Sequence, residues 1–339
     1  MIARLYWGWP ALALLVGCAG VQTEKRSAGD RAAALEQVRR HCLDPDGENC
    51  IAACRKVLRL KPNDVEVEQT LGWLLVKDGR VPEGIAHMRK ALKLEPDRPE
   101  VHYHLAVALE KRGDRSGALE HYQRTVALEP GHLDARVAMG VLLRKMKRRE
   151  QAEQALRAAI ARKADSAAAW AQLSLTLAQL DRRDEAIEAG YRAVELRPDE
   201  ANVRSNLGLF LSNAGRSEEA IEQLEKAVEL DPDNATARYN LGLAYTNTDA
   251  LEEAARAYMA ALGQREHFPQ AHHNLAVVLM GLGICDLARR HFDRSHEQGV
   301  RSAQIVIDQF QKICEQPQAE PAGSESEEDE DDERADPPS

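Results

Sequence analysis

From residue 65 to residue 302, apolar and small residues return on a fixed 34-residue period. Leucine or methionine stands at Leu71, Leu105, Met139, Leu173, Leu207, Leu241 and Leu275. A small residue follows each of them: Gly72, Ala106, Gly140, Ser174, Gly208, Gly242 and Ala276. Twelve positions later a second small residue recurs, as Gly84, Ala118, Ala152, Ala186, Ala220, Ala254 and Ala288. Within each period the apolar residues fall three or four apart in two stretches of about 13 residues, which predicts two amphipathic helices per unit. Small residues are expected where the two helices cross, because a larger side chain would push their axes apart. Gly79, Gly113, Gly215 and Gly283 suit a turn that needs positive φ. Pro96, Pro130, Pro198 and Pro232 end the second helix in four units, and Ala164, Glu266 and Val300 fill that slot in the others. No unit can cover its own apolar face, so burial has to come from stacking.

This pattern resembles the tetratricopeptide repeat and runs without insertion through units 65–98, 99–132, 133–166, 167–200, 201–234, 235–268 and 269–302. The resemblance implies an all-α fold, a right-handed superhelical solenoid of helix-turn-helix repeats. Residues 31–64 read as a degenerate N-terminal unit that keeps Pro62, and 303–315 as an amphipathic C-terminal capping helix. In such arrays the first helix of each unit lines the concave face, with positions two, five, nine and twelve pointing into the groove. Position nine carries Trp73, Val107, Val141, Leu175, Leu209, Leu243 and Val277. Position five carries Gln69, Tyr103, Val137, Ala171, Ser205, Tyr239 and His273. From these, Trp73, Tyr103, Val107, Val141, Leu175, Leu209, Tyr239, Leu243, His273 and Val277 form the candidate partner-binding groove. Two readings of position nine stand: an apolar channel for an extended or helical segment, or side chains packed between neighbouring helices. The carboxylate-clamp subclass uses Lys at five and Asn at nine. This chain has neither, and carries Asn206, Asn240 and Asn274 at six.

The two ends differ from the array. Residues 1–17 read as a signal peptide, with Arg4 ahead of an apolar stretch centred on Ala11 to Val16. The stretch closes in Leu15-Val16-Gly17-Cys18, which resembles a bacterial lipobox and implies acylation of Cys18. By the same resemblance, Ala19 after the cysteine favours the outer membrane, with the array facing the periplasm. Residues 18–30 form a linker. The last 24 residues, 316–339, contain ten acidic residues and one basic one. The chain's formal charge is −10, so the tail holds nearly all of the imbalance. Such a segment cannot bury a core and is expected to be disordered, either as a solvated spacer or as an arm for a basic partner.

Five further cysteines sit at the array's ends: Cys42, Cys50, Cys54, Cys285 and Cys314. An exported chain permits disulfides. Cys285 begins near the turn of the last unit and Cys314 ends the capping helix, so Cys285–Cys314 is expected. At the other end Cys42 can pair with either Cys50 or Cys54, and Cys42–Cys50 is favoured because Cys50 occupies the helix-crossing position. A zinc site that also used His41 is the rival reading, although the spacing matches no familiar zinc pattern. No phosphate loop, HExxH, G-x-S-x-G or paired-carboxylate pattern is present, which points away from an enzyme and from any cofactor. Basic runs such as 144–149 fall in inter-helix turns, so neither nucleic acid nor a small-molecule substrate is expected. The order of lipobox, linker and array is similar to the pilotin lipoproteins of type IV pilus systems, which escort an outer-membrane secretin. The seventh unit, the cysteines and the acidic tail depart from them. A scaffold in another envelope machine, serving gliding motility, secretion or the cell wall, is the alternative.

Overall fold

The computed structural model describes residues 28–43, 49–300, 302 and 304–315. The signal peptide, Cys18, most of the linker and the acidic tail lie outside these residues. Among the described residues there is helix and turn but no strand, and consecutive helices pair as in a tetratricopeptide solenoid. Two compact units are present, 1–114 and 115–339. In the first, α1 (Ala28–Leu43), α2 (Cys50–Leu60), α3 (Val65–Lys77), α4 (Val81–Leu94) and α5 (Pro99–Arg112) each pack on the next. In the second, α6 (Arg115–Leu128) precedes four helix pairs. These are α7 (Leu133–Lys145) with α8 (Arg149–Arg162), α9 (Ala167–Gln179) with α10 (Arg183–Leu196), α11 (Ala201–Asn213) with α12 (Ser217–Leu230), and α13 (Ala235–Asn247) with α14 (Leu251–Gln264). α15 (Pro269–Gly281) and α16 (Cys285–Glu297) make the last pair, followed by α17 (Gln304–Phe310) and a π-helical turn, Gln311–Glu315.

Local chemistry sets these boundaries. Asp64, Ser166 and Asn234 cap α3, α9 and α13 by accepting the amides of Val67, Ala169 and Ala237. Pro99 and Pro269 open α5 and α15, where a missing N–H costs nothing. Position fifteen of every unit takes positive φ. Glycine supplies it four times, and Lys147, Asp181 and Asp249 adopt φ of 62°, 60° and 59° in the other three. The sequence signals only the glycines.

The crossing of first and second helices is tight. A Cβ on Gly208 would stand 2.5 Å from Leu224 Cγ, and one on Gly242 would stand 2.6 Å from the Tyr258 ring. In the repeat 167–200 Ser174 occupies the small position, and a second close approach appears where Gly190 faces Leu207 of the next repeat. The apolar side chains so enclosed, Leu156, Leu173, Leu207 and Leu224 among them, are almost fully buried. Each contributes about 1.5–3 kcal/mol by leaving water. In the first unit a charged group lies in the interface: Glu68 is fully buried between α3 and α4, its oxygens 2.5 Å from His87 Nδ1 and from Lys90 Nζ.

The N-terminal disulfide is Cys42–Cys54, with Cα atoms 4.8 Å apart, and Cys50 is a buried thiol. This corrects the expected Cys42–Cys50 pair. In a regular unit the second helix starts at position seventeen, as Val81 does in α4, and position twelve meets position twenty, as Val76 meets Gly84. In the degenerate unit α2 starts only at Cys50, after a longer connection. The helix slides by about one turn, and Cys54, on the same face as Cys50, comes opposite Cys42. At the other end Cys285 joins Cys314 with Cα atoms 5.4 Å apart. The cap itself is a short helix finished by the π-turn. Phe310 is buried edge-on against Phe292, while Ile305 and Ile313 stay exposed.

Candidate protein-binding face

In the second unit the first helices lie edge to edge: α7 touches α9, α9 touches α11, α11 touches α13, and α13 touches α15. The second helices make no comparable contact with one another, so the first helices present a continuous face. α3 and α5 stand in the same relation within the first unit.

Position nine is half-buried in all seven repeats, at Trp73, Val107, Val141, Leu175, Leu209, Leu243 and Val277. Leu175, Leu243 and Val277 pack part of their surface on the core clusters beneath them and leave the remainder open. Both readings of this position therefore describe part of the same side chain. Trp73 has its indole stacked on His104 at 4.4 Å, with Lys77 Nζ 5.7 Å from its ring centre. Tyr103 leans on the same His104 ring at 5.7 Å.

Position five plays a different part. Ser205 is buried and accepts a hydrogen bond from Asn240 Nδ2 at 3.3 Å. Tyr239 accepts at its hydroxyl from Asn274 Nδ2 at 3.1 Å, and its ring sits against Tyr258 and Phe268. Burial raises the Tyr239 pKa. His273 shares a hydrogen bond with Ser302 Oγ at 3.3 Å and meets Phe292 edge-on, and burial lowers its pKa. Asn240 and Asn274, at position six, thus bind the position-five side chain of the preceding repeat. Tyr239 and His273 are drawn into the joints between repeats, whereas Val141, Leu175, Leu209, Leu243 and Val277 remain on the face.

Second helices are joined at their outer surface by ion pairs. Arg182 spans Glu153 at 2.7 Å and Glu185 at 2.6 Å, and Arg157 reaches Glu185 at 2.9 Å. Glu219 accepts from Arg216 and Tyr191, which holds its pKa down at about 2. These groups are solvated, and each pair adds little to stability. Among the described residues no group of three or more metal-ligating side chains occurs, and no helix is long and apolar enough to cross a membrane.

The family model for the C-terminal domain of cilia and flagella-associated protein 70, a tetratricopeptide-repeat domain, matches residues 26–277. The chain belongs to this family. None of the curated proteins matches the chain. Among solved structures, this family member is similar to the Cut9–Hcn1 hetero-tetramer of APC/C, with a TM-score of 0.59 and 17% identity over 86% of this chain and 57% of that one. A tetratricopeptide repeat protein from Parabacteroides merdae gives a TM-score of 0.57 and 15% identity, over 73% of this chain and 99% of that one. PilF of Pseudomonas aeruginosa is 25% identical over 53% of this chain and 83% of its own, with a TM-score of 0.49. The first two show the fold. Repeats of this kind are generally non-enzymatic scaffolds for protein–protein interaction.

Proposed function

We propose that this tetratricopeptide-repeat protein holds a segment of an envelope protein against its first-helix face, tethered to the outer membrane through an acylated Cys18. One observation carries the binding face: every position-nine side chain is apolar and half-exposed, although positions seven and eight beside it are mostly buried. A face that served stacking alone would withdraw these side chains, and the row of partly exposed aliphatic groups from Val141 to Val277 in the second unit is what a partner segment covers. The tether rests on the lipobox in the sequence.

The finer reading is a pilotin-like escort of a pilus secretin, supported by the succession of lipobox, linker and repeat array. A scaffold subunit of another envelope machine is the second reading. The seventh full repeat, the terminal cysteines and the acidic tail favour it, since pilotins lack them.

Photocrosslinking from Leu209 and Leu243 in the native envelope, followed by identification of the captured protein, separates the two. Leu209→Glu with Leu243→Glu should abolish capture while helix content and melting stay near those of the parent. Capture retained by the folded double variant refutes the face. Cys18→Ala should release the protein from the membrane fraction, and retention there refutes the anchor.

A further inference from the structure

The repeat 133–166 stands apart in charge, with nine Lys and Arg against four Asp and Glu. Some of its cations have partners: Arg148 donates to Gln151, and Arg157 to Glu153 and Glu185. Arg144 differs. It occupies position twelve of α7, one turn beyond Val141 on the same side of the helix, and is half-buried. Its guanidinium donates from Nη2 to Gln172 Oε1 of α9 at 3.1 Å, while its Nε is buried with no partner. Among the described residues no carboxylate pairs with it, and burial without a counter-charge lowers its pKa. Over positions two, five, nine and twelve of α7, α9, α11, α13 and α15, only Asp134, exposed in the first turn of α7, and Arg144 are fully charged at neutral pH, and Arg144 is the only cation.

Holding an unpaired cation partly out of water costs free energy, which an incoming anion recovers. A guanidinium offers a fixed fork of donors that suits a carboxylate. We propose that Arg144, oriented by Gln172, selects a partner segment that is apolar except for one Asp or Glu, whose carboxylate it takes. The inference rests on the reading of this face as a partner-binding surface and names the chemistry of the segment bound there. The aliphatic residues around the site, Val141 and Leu175, require apolar side chains on either side of that carboxylate. The tail 316–339 is acidic but has no large apolar residue, so it matches Arg144 and not its surroundings.

The test uses the full chain, R144Q and Q172E on an immobilised array of short extended apolar peptides, made as twins with Glu or Gln at the centre. The parent should retain each Glu peptide about tenfold or more over its Gln twin, as a charge-assisted hydrogen bond predicts. Both variants should lose that preference. Q172E keeps the cation but gives it an internal carboxylate, so its loss of preference comes without removal of the buried Arg144 side chain. Equal retention of the twins by the parent, or a Glu preference that survives R144Q, overturns the proposal while peptide binding by the face stands. Retention of no peptide by any form overturns both. Preferential retention of a synthetic 316–339 peptide over the apolar Glu series assigns the site to the chain's own tail and also overturns the proposal.

Discussion

Replacing Gly208 by alanine tests the stacking argument most directly. The new Cβ would lie 2.5 Å from Leu224 Cγ and 3.0 Å from both of its methyls. Leu224 is fully buried, so it has no free direction in which to retreat. Overpacking of this kind costs about 1–3 kcal/mol, while alanine returns up to about 1 kcal/mol of helix propensity. The single change should therefore destabilise by about 0–3 kcal/mol. Leu224→Ala empties the same space and should cost about 3–5 kcal/mol. Combined, the added methyl enters the vacated volume, its clash disappears and the propensity gain remains. The double variant should then be more stable than the sum of the singles by about 1–3 kcal/mol. Because an array need not unfold in one step, native-state hydrogen exchange at the α11 and α12 amides is the appropriate assay, with urea melts in support. Simple additivity within about 0.5 kcal/mol would refute the contact.

Three further outcomes follow from the same geometry. His272 Nδ1 lies 2.9 Å from His291 Nδ1; burial lowers both pKa values, and for His291 the charge of His272 does so further. The unfolded chain therefore takes up protons first as pH falls. This contribution is present above the ordinary value of 6.5 and is lost as pH falls from there through the lowered folded values, so the last repeat should melt earlier at about pH 5.5 than at about pH 7.5. His291→Gln should flatten that dependence; an unchanged slope counts against it. Lys147→Gly relieves a left-handed backbone and should stabilise by about 0.5–1 kcal/mol, read from urea midpoints, whereas a fall would show that the lysine side chain outweighs the strain. Replacing Cys285 and Cys314 by Ser opens a link across 29 residues, worth about 3–4 kcal/mol. Exchange should rise in α17 and the π-turn and stay unchanged in α7 to α12, since repeats couple to their neighbours; a change spread evenly over the array refutes local capping.

What could be read from the sequence was whatever the 34-residue period repeats. Helix pairs, their crossing residues and the glycine turns all recur, and one unit predicts the next. The sequence was silent where a unit breaks its own rule. Lys147, Asp181 and Asp249 take a glycine conformation because the turn around them dictates it. Cys54 replaces Cys50 as the bridging residue because the degenerate unit begins its second helix late. Tyr239 and His273 sit at a face position by register, yet the hydrogen bonds of Asn274 and Ser302 draw them into the joints. Arg144 falls at a groove position by the same count. Its lack of a carboxylate depends on what surrounds it in space, and no spacing rule reports that.

The two roles of the first helix divide by position. Residues five and six carry hydrogen bonds between repeats, Asn240 to Ser205 and Asn274 to Tyr239, and are buried or half-buried there, with Asn247 to Ser212 and Arg144 to Gln172 adding to them further along the helix. Residue nine stands on the side left open, whereas residue twelve is half-exposed in some repeats, as at Arg144 and Ala178, and buried in others, as at Val76, Ser212 and Met280. This division matters energetically, because the joints fix the spacing of the face before any partner arrives. A segment that settles across Leu175, Leu209 and Leu243 meets side chains whose helices are already locked, so little ordering cost falls on the scaffold. A preformed face also means that changes at the joints and on the face have separable consequences. Loosening Asn240 or Asn274 should weaken the array, whereas altering Leu209 should leave the stack beneath in its form; if the proposed face is right, only the second change alters which segment is held.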